Sequence, residues 1–392
     1  MTRVGIVGAG IGGLSTAAGL QRDGVEVTVF ERAPGPRPAG SGLSLFGNGR
    51  TALDALGLGD AIRSVTAAGP ALLQAGQRRP DGRWLARTPA SAVARLRVVH
   101  RADLHRVLLA ALEPGTVRWG TPVRGVVPSS GEVLGEVLGQ TRGERFDVVV
   151  AADGIRSAVR AGWPVDPGVR YAGYAAWRGV TAAPVDLRGA AGETWGRGLR
   201  FGAAPLADGR VYWFAVATMP ARSPSGDEHA RVQRLFGSWH DPVPELVAAT
   251  PPDAVSRLDV EHLAGPLPTF RRERCVLLGD AAHAMTPDLG QGANQALEDA
   301  ATLVALLRSP HRDVGTVLGQ YDRLRRPRTQ AVARRARSVG AVAQAAGRRA
   351  AVRDAVLPLV PAAVAARPLV RLQQWRPPPA PAVRTPARTA VH

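Results

Sequence analysis

Glycines at a fixed spacing near the amino terminus form a turn that can hold a phosphate. Gly8, Gly10 and Gly13 follow the apolar run 4–7 and open a helical pattern, and Glu31 ends the next apolar run. Such glycines permit a tight turn, close approach to a pyrophosphate and packing of a helix on a strand. A carboxylate at this separation can accept both ribose hydroxyls of an adenosine. The candidate binding residues of this stretch are Gly8, Gly10, Gly12, Gly13, Glu31 and Arg32.

A second stretch, residues 275–294, combines an acidic side chain with a glycine-rich helix start. Asp280 follows a short apolar strand, at the carboxyl end where open α/β sheets bind ligands. Apolar residues recur at helical spacing from Ala293 to Leu307. The preceding backbone amides therefore lie at a helix N-terminus, which attracts negative charge. The candidate binding residues here are Asp280, Pro287, Gly290, Gln291, Gly292, Ala293 and Asn294.

A third stretch, residues 146–160, runs from an apolar strand through Asp153-Gly154 to a short arginine-bearing helix. Asp-Gly alone is an ordinary turn signal, but its place between strand and helix makes the pattern specific. Together the three stretches resemble the class A FAD-dependent aromatic monooxygenases, the para-hydroxybenzoate hydroxylase-like superfamily, from residue 4 to about residue 308. In texture the chain is most similar to FAD-dependent urate hydroxylases and to salicylate or 3-hydroxybenzoate hydroxylases. The segment Tyr171–Gly179 is especially like the urate-hydroxylase group, whereas Ala293-Asn294 departs from it.

The resemblance implies roles for residues that local patterns leave open. It implies that Asp280 binds the ribityl chain of FAD and that the helix start faces the flavin pyrimidine edge. It associates Asp153 with the binding of both FAD and NAD(P)H. By the same resemblance, further contacts to FAD come from the small side chain of Ser44, from Arg101 at the phosphate or ribityl region, and from the backbone of Val123 at the adenine.

Substrate binding is predicted for Arg200 and Tyr212. The urate-hydroxylase group holds its substrate with an arginine and a tyrosine at matching spacing, and a hairpin of this length can put both side chains on one face. Arginine offers a planar fork of donors, and tyrosine offers a hydroxyl and a flat surface. The alternative is a surface arginine and a core tyrosine.

The implied activity is that of a monooxygenase with non-covalent FAD, NAD(P)H as co-substrate and O₂. It hydroxylates or epoxidises an electron-rich aromatic or heteroaromatic small molecule through a flavin C4a-hydroperoxide. The alternative is a flavin-dependent reductase or dehydrogenase that acts on C–C bonds without oxygen insertion. No catalytic base is identified, because His283 is better interpreted as a structural histidine.

Composition excludes other classes of flavoprotein. The chain has no lysine, which a flavin halogenase of the tryptophan type needs, and its single cysteine excludes a disulfide reductase. Its 50 basic residues, all arginine, give a net charge of +18 across 392 residues. We expect this field to attract anionic substrates and NAD(P)H rather than nucleic acid, because no nucleic-acid motif accompanies it. No secretory signal is evident, so we expect a cytoplasmic protein. No metal site is expected.

The elements that position these residues are expected to be α/β. We predict a Rossmann-like FAD-binding domain (GR2-type flavoprotein fold) with an inserted, mainly β substrate domain and C-terminal helices. The FAD-binding domain takes residues 1–168 and 265–372, the substrate domain residues 169–264, and a disordered Pro/Arg tail residues 373–392. Residues 52–62 predict one short helix, and residues 355–370 are too short and interrupted for a membrane span.

Overall fold

The computed structural model of the protein describes residues 2–36, 41–66, 73–137, 140–308 and 313–379. Its strands are β1 (Arg3–Val7), β2 (Glu26–Phe30), β3 (Gly42–Leu45), β4 (Gln74–Arg78), β5 (Trp84–Arg87), β6 (Arg97–His100), β7 (Val117–Arg118), β8 (Val123–Val127), β9 (Glu132–Val137), β10 (Gln140–Arg145), β11 (Val148–Ala151), β12 (Val169–Pro184), β13 (Ala190–Trp195), β14 (Leu199–Pro205), β15 (Arg210–Thr218), β16 (Ser256–Leu263), β17 (Arg271–Arg272) and β18 (Cys275–Leu277). Its helices are α1 (Ile11–Arg22), α2 (Gly47–Ala55), α3 (Gly59–Arg63), α4 (Ala90–Val93), α5 (Arg101–Ala110), α6 (Ala158–Ala161), α7 (Glu228–Phe236), α8 (Val243–Ala248), α9 (Asp280–His283), α10 (Gly292–Leu307), α11 (Val314–Ala343), α12 (Gly347–Val356) and α13 (Ala362–Gln373).

Six strands form a mainly parallel sheet in the order β17-β18-β11-β1-β2-β7. Its central strands are buried apolar runs, as expected for strands covered on both faces. β18, β11, β1 and β2 are parallel, so their carboxyl ends meet at one edge of the sheet. Asp280, Asp153, Gly8 and Glu31 follow those four ends in that order. The predicted α/β, Rossmann-like fold is confirmed.

A seven-stranded sheet, in the order β16-β12-β15-β14-β13-β4-β5, stands beside the parallel one. Side chains alternate between its two faces. One face buries Trp177, Trp213 and Phe201 beneath α7 and α8. The other carries Tyr174 and Tyr212, and the Tyr212 ring lies directly against Gly42 of β3. This second face is therefore turned toward the nucleotide-binding half of the chain.

The seven-stranded sheet does not come from one continuous segment. β4 and β5 belong to residues 74–87, within the range assigned to the FAD-binding domain, and β4 pairs in parallel with β13. The division of the chain at residues 168 and 264 did not anticipate this contribution. Two short runs far apart in sequence carry too few alternating residues to reveal a shared sheet.

Two local predictions differ from the structure. Residues 52–62 form parts of two helices, α2 and α3, because the chain turns at Gly57, where φ is +78°. The disordered tail is expected to begin at residue 373, but residues 373–375 are packed on the protein. Gln373 ends α13 and donates from its Nε2 to the Ala92 carbonyl at 2.8 Å. Trp375 packs against the core. Most of the predicted disordered tail, residues 380–392, lies outside the described residues.

Within the described ranges, no single helix is long and apolar enough to cross a membrane. Taken together, residues 347–359 and 362–373 have the length and apolar composition of a membrane span. The two segments are bent by 94° at their junction.

A buried cluster of charges joins α10 to α11. Arg325 Nε donates to Asp299 at 2.6 Å, and its Nη1 donates to Glu298 at 2.6 Å. Arg328 donates to both oxygens of Glu298 from the outer side, at 2.7 and 2.8 Å. Burial alone would raise the pKa of the Asp299 carboxyl, but His283 and Arg325 outweigh it and hold that pKa at about 2. Asp299 is therefore ionised at neutral pH, although the Nδ1 atom of His283 beside it is buried without a hydrogen-bond partner among the described residues.

We expect Arg325→Met to lower the free energy of unfolding by about 3–5 kcal/mol, because it leaves two buried carboxylates without their shared cation. The matched control is Arg326→Met on the next position of α11. That arginine pairs with Asp322 in a partly exposed site, so its loss should cost about 1 kcal/mol or less. Urea denaturation at pH 7 measures both values, and similar losses in the two variants would contradict the prediction.

Candidate active site

A cleft of about 840 Å³ opens at the edge of the parallel sheet, between it and the second face of the seven-stranded sheet. Residues predicted from the sequence line it at four places: the glycine turn, the Glu31 corner, the start of α5 and the Asp153 corner. From the opposite side it is lined by the outer part of β12 and by the loop around residues 251–256. The cleft is therefore shared between the nucleotide-binding half and the β sheet.

The glycine turn has the geometry that close approach of a phosphate requires. Gly8 has a φ of +103°, and a side chain there would also strike the Ala152 carbonyl. A Cβ on Gly13 would lie 2.0 Å from the Gly8 oxygen, so only glycine lets α1 pack on β1. Gly12 packs against Leu278 in the same way. A Cβ on Gly10, by contrast, would meet no atom of the described residues within 4 Å, so the space above it belongs to the cleft.

Glu31 is fixed by backbone amides at the cleft wall. Its two carboxylate oxygens accept from the amides of Ala9 and Ala33, each at 2.8 Å. Each oxygen keeps a second lone pair that can accept a ligand hydroxyl. Arg32 is exposed beside it and also lines the cleft. His105, which sequence reasoning missed, approaches the Ala9 carbonyl at 2.9 Å and lines the same wall.

Two arginines face each other across the cleft. Arg101 begins α5, and Arg178 projects from β12. Burial lowers the pKa of the Arg101 guanidinium, Arg178 lowers it further, and Asp280 opposes the shift. Among the described residues neither guanidinium has a hydrogen-bonded or ion-paired partner. An anionic ligand would relieve their mutual repulsion.

Arg178 and His105 were not singled out from the sequence, although spacing offered a signal for each. His105 stands four residues after Arg101, on the same face of a helix. Arg178 stands two and four residues after Ala176 and Tyr174, on the same face of a strand.

The start of α10 offers three open amides. Gly290 has a φ of +61°, which turns the chain into the helix. The amides of Gly292, Ala293 and Asn294 have no acceptor among the described residues, as is usual for the first turn. A side chain on Gly292 would meet no described atom within 4 Å, so a flat ligand has room above it. Pro287 is exposed at the preceding turn, and Asp280 is exposed at the start of α9.

The side chains of Gln291 and Asn294 make hydrogen bonds within the protein. Asn294 accepts from the Phe46 amide and donates to the carbonyls of Ser44 and Gly290, each at 2.9 Å. Gln291 is buried and accepts from Asn48 at 2.9 Å. That these residues bind the cofactor stays a prediction: their backbones are available, and Gln291 Nε2 has no hydrogen-bond partner among the described residues. Internal hydrogen bonds of this kind leave no trace in sequence spacing.

Of the remaining predicted residues, one lines the cleft and two do not. Asp153 lines the cleft; burial raises the pKa of its carboxyl, and its Oδ1 has no partner among the described residues. Ser44 does not line the cleft but lies on β3 beside Gly290. Val123 is half-buried on β8 and does not line the cleft.

Arg200 lies in a buried cluster of its own. It is 2% exposed, and its Nη2 lies 2.9 Å from Asp288 Oδ1. Tyr174 donates its hydroxyl to the other oxygen of Asp288 at 2.7 Å. Burial lowers the pKa of Arg200, but Glu193 and Asp288 together outweigh it and leave that pKa raised. Its Nε and Nη1 atoms are buried without a hydrogen-bond partner among the described residues.

Arg200 and Tyr212 share one sheet face, but they are not adjacent. Arg200 pairs with Val216, and Tyr212 pairs with Ala204, so four residues separate them along the strands. Phe214 fills the gap, 5.7 Å from the guanidinium and 6.3 Å from the Tyr212 ring. Neither predicted residue lines the 840 Å³ cleft. The aromatic pair nevertheless leads from Arg200 toward Gly42 of β3.

His283 is buried on α9, and its Nε2 lies 2.5 Å from Asp299 Oδ2. This position inside the charge cluster agrees with a structural role. Among the described residues, no group of three or more His, Cys, Asp or Glu side chains could hold a metal ion.

The residues present fit FAD on two sets of observations. The 840 Å³ cleft has free space above Gly10 and two arginines without partners among the described residues. The start of α10 does not line that cleft, but it has open amides and free space above Gly292. Glu31 and Asp280 add carboxylates for hydroxyl groups at separate corners.

Known proteins resemble this chain over most of its length. The family described as FAD binding domain matches residues 1–336. An aurachin C monooxygenase/isomerase of Stigmatella aurantiaca is 38% identical over 330 residues, covering 82% of this chain and 84% of that protein. A 3-amino-4-hydroxybenzoate 2-monooxygenase of Streptomyces cremeus is 37% identical over 348 residues, covering 86% of each. Klebsiella pneumoniae HpxO in complex with FAD and uric acid matches with a TM-score of 0.85 at 28% identity, covering 95% of this chain and 96% of that chain.

We expect Asp280→Ala to weaken FAD binding by about 1.5–3 kcal/mol, because it removes a charged acceptor for a ligand hydroxyl. The matched control is Asp60→Ala, an aspartate of α3 whose side chain is almost fully exposed. Titration of the apoprotein with FAD, followed by flavin fluorescence, gives both affinities. Equal affinity in the two variants would show that Asp280 does not contact the cofactor.

Proposed function

The chain belongs to the FAD-binding family of class A flavin monooxygenases, and we propose that it oxidises a heteroaromatic substrate whose ring carries a carbonyl edge. It is an FAD-dependent monooxygenase that acts on a small aromatic molecule. The relatives' names support oxygen insertion and give no support to reduction of C–C bonds. The proposal concerns the substrate class and the residues that hold it.

When bound, FAD supplies hydride uptake from NAD(P)H and the activation of O₂. The protein supplies position and charge. The open amides of Gly292 to Asn294 would favour negative charge on a flavin held at this helix start. Arg101 and Arg178 bring two positive charges to the cleft, where they suit the phosphates of FAD or NAD(P)H. Glu31 and Asp280 fit the hydroxyls of the ribose and the ribityl chain.

The charge around Arg200 carries the substrate proposal. Asp288 at 2.9 Å and Glu193 at 3.6 Å already flank the guanidinium, so its positive charge is compensated within the protein. A third carboxylate, on a substrate, would enter a buried site with an excess of negative charge. The free Nε and Nη1 donors still require acceptors, because a buried unpaired donor is costly. A ring carbonyl satisfies them without adding a localised charge.

The aromatic side chains of the same sheet face complete the site. Tyr212 and Phe214 offer flat surfaces between Arg200 and β3, against which a ring can stack. Burial raises the pKa of the Tyr212 phenol, so its hydroxyl stays protonated and can donate to a substrate oxygen. Its contact with Gly42 places this ring next to the strand that carries Ser44.

The relatives fall on both sides of this distinction. The Streptomyces enzyme acts on an aminohydroxybenzoate, and the Klebsiella structure holds uric acid, a heterocycle with ring carbonyls. The compensated arginine favours the second type for this chain. NAD(P)H and O₂ as partners, no nucleic-acid partner and a cytoplasmic location complete the proposal, and reduction by NAD(P)H supports that location.

The test is a matched panel of ring-carbonyl heterocycles and benzoates, for example 4-quinolone and uric acid against salicylate and 3-amino-4-hydroxybenzoate. We expect only the first group to accelerate NAD(P)H oxidation and to incorporate oxygen-18 from labelled O₂. Faster, coupled oxidation with the benzoates would refute the substrate class while leaving the monooxygenase assignment intact.

We expect Arg200→Gln to raise the KM for the true substrate at least tenfold, or to divert NAD(P)H oxidation into hydrogen peroxide, with FAD content unchanged. Tyr174→Phe is the matched variant, because it removes one hydrogen bond to Asp288 and keeps the guanidinium. Its effect should be in the same direction and smaller. Coupling and KM at wild-type values in folded Arg200→Gln would remove Arg200 from the substrate site.

A further inference from the structure

Exposed apolar side chains are concentrated at the carboxyl-terminal end of the described chain. Ten large hydrophobic residues are exposed in the described residues, and six of them lie between positions 342 and 370. The two most exposed are Leu359, at 79%, and Val352, at 63%. These six residues are Val342, Val352, Val356, Leu359, Val364 and Val370.

The helical geometry separates these residues from the core. α12 buries Ala350 and Arg353 against the β-sheet half, where Arg353 donates to the Gly196 carbonyl at 2.8 Å. Val352 and Val356 are four residues apart on the outer side of the same helix, and Leu359 lies about one turn further on. The inner side anchors the helix, so the apolar stripe is held outward on a fixed element.

Arginines flank the stripe with almost no opposing charge. Arg348 and Arg349 precede it on α12, and Arg367 and Arg371 are exposed on α13. Asp354 is the one acidic residue between positions 345 and 379, and it pairs with buried Arg353 at 2.8 Å. We call Val352, Val356, Leu359 and Val364, with these four arginines, the C-terminal ridge.

The charge pattern decides what can cover the C-terminal ridge. The tail at residues 380–392 contains Arg384 and Arg388 and no acidic residue, so the arginines of the ridge repel it. A second copy docked ridge to ridge would bring like charges together. Nucleic acid would satisfy the arginines but would leave the apolar side chains without a partner. An anionic lipid surface satisfies both parts, because acyl chains accept apolar side chains and headgroups pair with arginine.

We propose that the C-terminal ridge docks the enzyme on the surface of an anionic bilayer. The two segments bend by 94°, and α13 carries Arg367 and Arg371 among its apolar residues. This shape and charge suit shallow insertion into the headgroup region rather than a span. The cytoplasmic leaflet carries anionic lipid, so the docked enzyme would meet substrates dissolved in the membrane.

The test is flotation of the FAD-loaded full-length enzyme with vesicles of phosphatidylcholine alone or with 30% phosphatidylglycerol (about one lipid in three). We expect at least tenfold stronger binding to the anionic vesicles, weakened by raising NaCl from about 0.05 to 0.5 M. Leu359→Glu and the double variant Arg348→Gln/Arg349→Gln should each reduce this binding at least fivefold.

Two controls make the result specific to the C-terminal ridge. The first control, Leu258→Glu, changes an exposed leucine on β16. β16 and β5 form opposite edges of the seven-stranded sheet, and the 357–359 turn contacts β5, so Leu258 lies far from the C-terminal ridge. It should bind vesicles as the wild type does. The second control, the double variant Arg384→Gln/Arg388→Gln, removes both arginines of the tail and tests whether the tail, rather than the C-terminal ridge, binds the vesicles. All variants should keep wild-type FAD content and NAD(P)H oxidation in solution.

Three outcomes would overturn the proposal. The first is equal binding of wild type and Leu359→Glu. The second is binding lost in the tail variant alone. The third is a wild type that does not bind vesicles but forms dimers in solution, with Leu359→Glu dissociating those dimers. That result would assign the surface to a second copy of the chain.

Discussion

The charge cluster around Arg325 sets the geometry of the cofactor site. Asp299 accepts from the Gly279 amide at 3.0 Å and from His283, so it fixes the corner that presents Asp280. Glu298 accepts from Asn48 at 2.7 Å and thereby ties α2 to α10. Buried charges offset the cost of leaving water only when their geometry is good and their polar atoms are hydrogen-bonded. The same requirement holds α9, α10, α11 and α2 in one arrangement, and with them the open amides of the helix start.

A second constraint couples the substrate side of the site to the cofactor side. Asp288 belongs to the loop that leads into α10, yet its carboxylate is held by Arg200 and Tyr174 of the β sheet. The loop that positions the helix amides therefore depends on the sheet that carries the aromatic surface. In the proposed function, a substrate held by Arg200 would act directly on this link. The ion pair between Arg200 and Asp288 therefore joins the sheet directly to the loop before α10.

The sequence was informative where backbone conformation determines residue type. Gly8 and Gly13 are glycines because a side chain would strike neighbouring backbone, and that requirement appears as a spacing pattern. Asp280 could be placed because parallel strands end together. The side chains of Gln291 and Asn294 could not be assigned, because an amide near a ligand loop can bind either ligand or protein. Nor could β4 be placed in the second sheet, since its pairing with β13 depends on contacts across more than a hundred residues.

The absence of lysine has a structural counterpart at the sites that matter most. Arg325 reaches Asp299, Glu298 and Gln295 at once, from separate nitrogens of one planar group. An ammonium is a compact point charge and could not satisfy three acceptors in that geometry. Arg200 uses the same property differently: Nη2 contacts Asp288, Nε lies 3.6 Å from Glu193, and neither Nε nor Nη1 has a hydrogen-bond partner among the described residues. The arginine-only composition thus supplies the planar donor groups of both buried charge clusters.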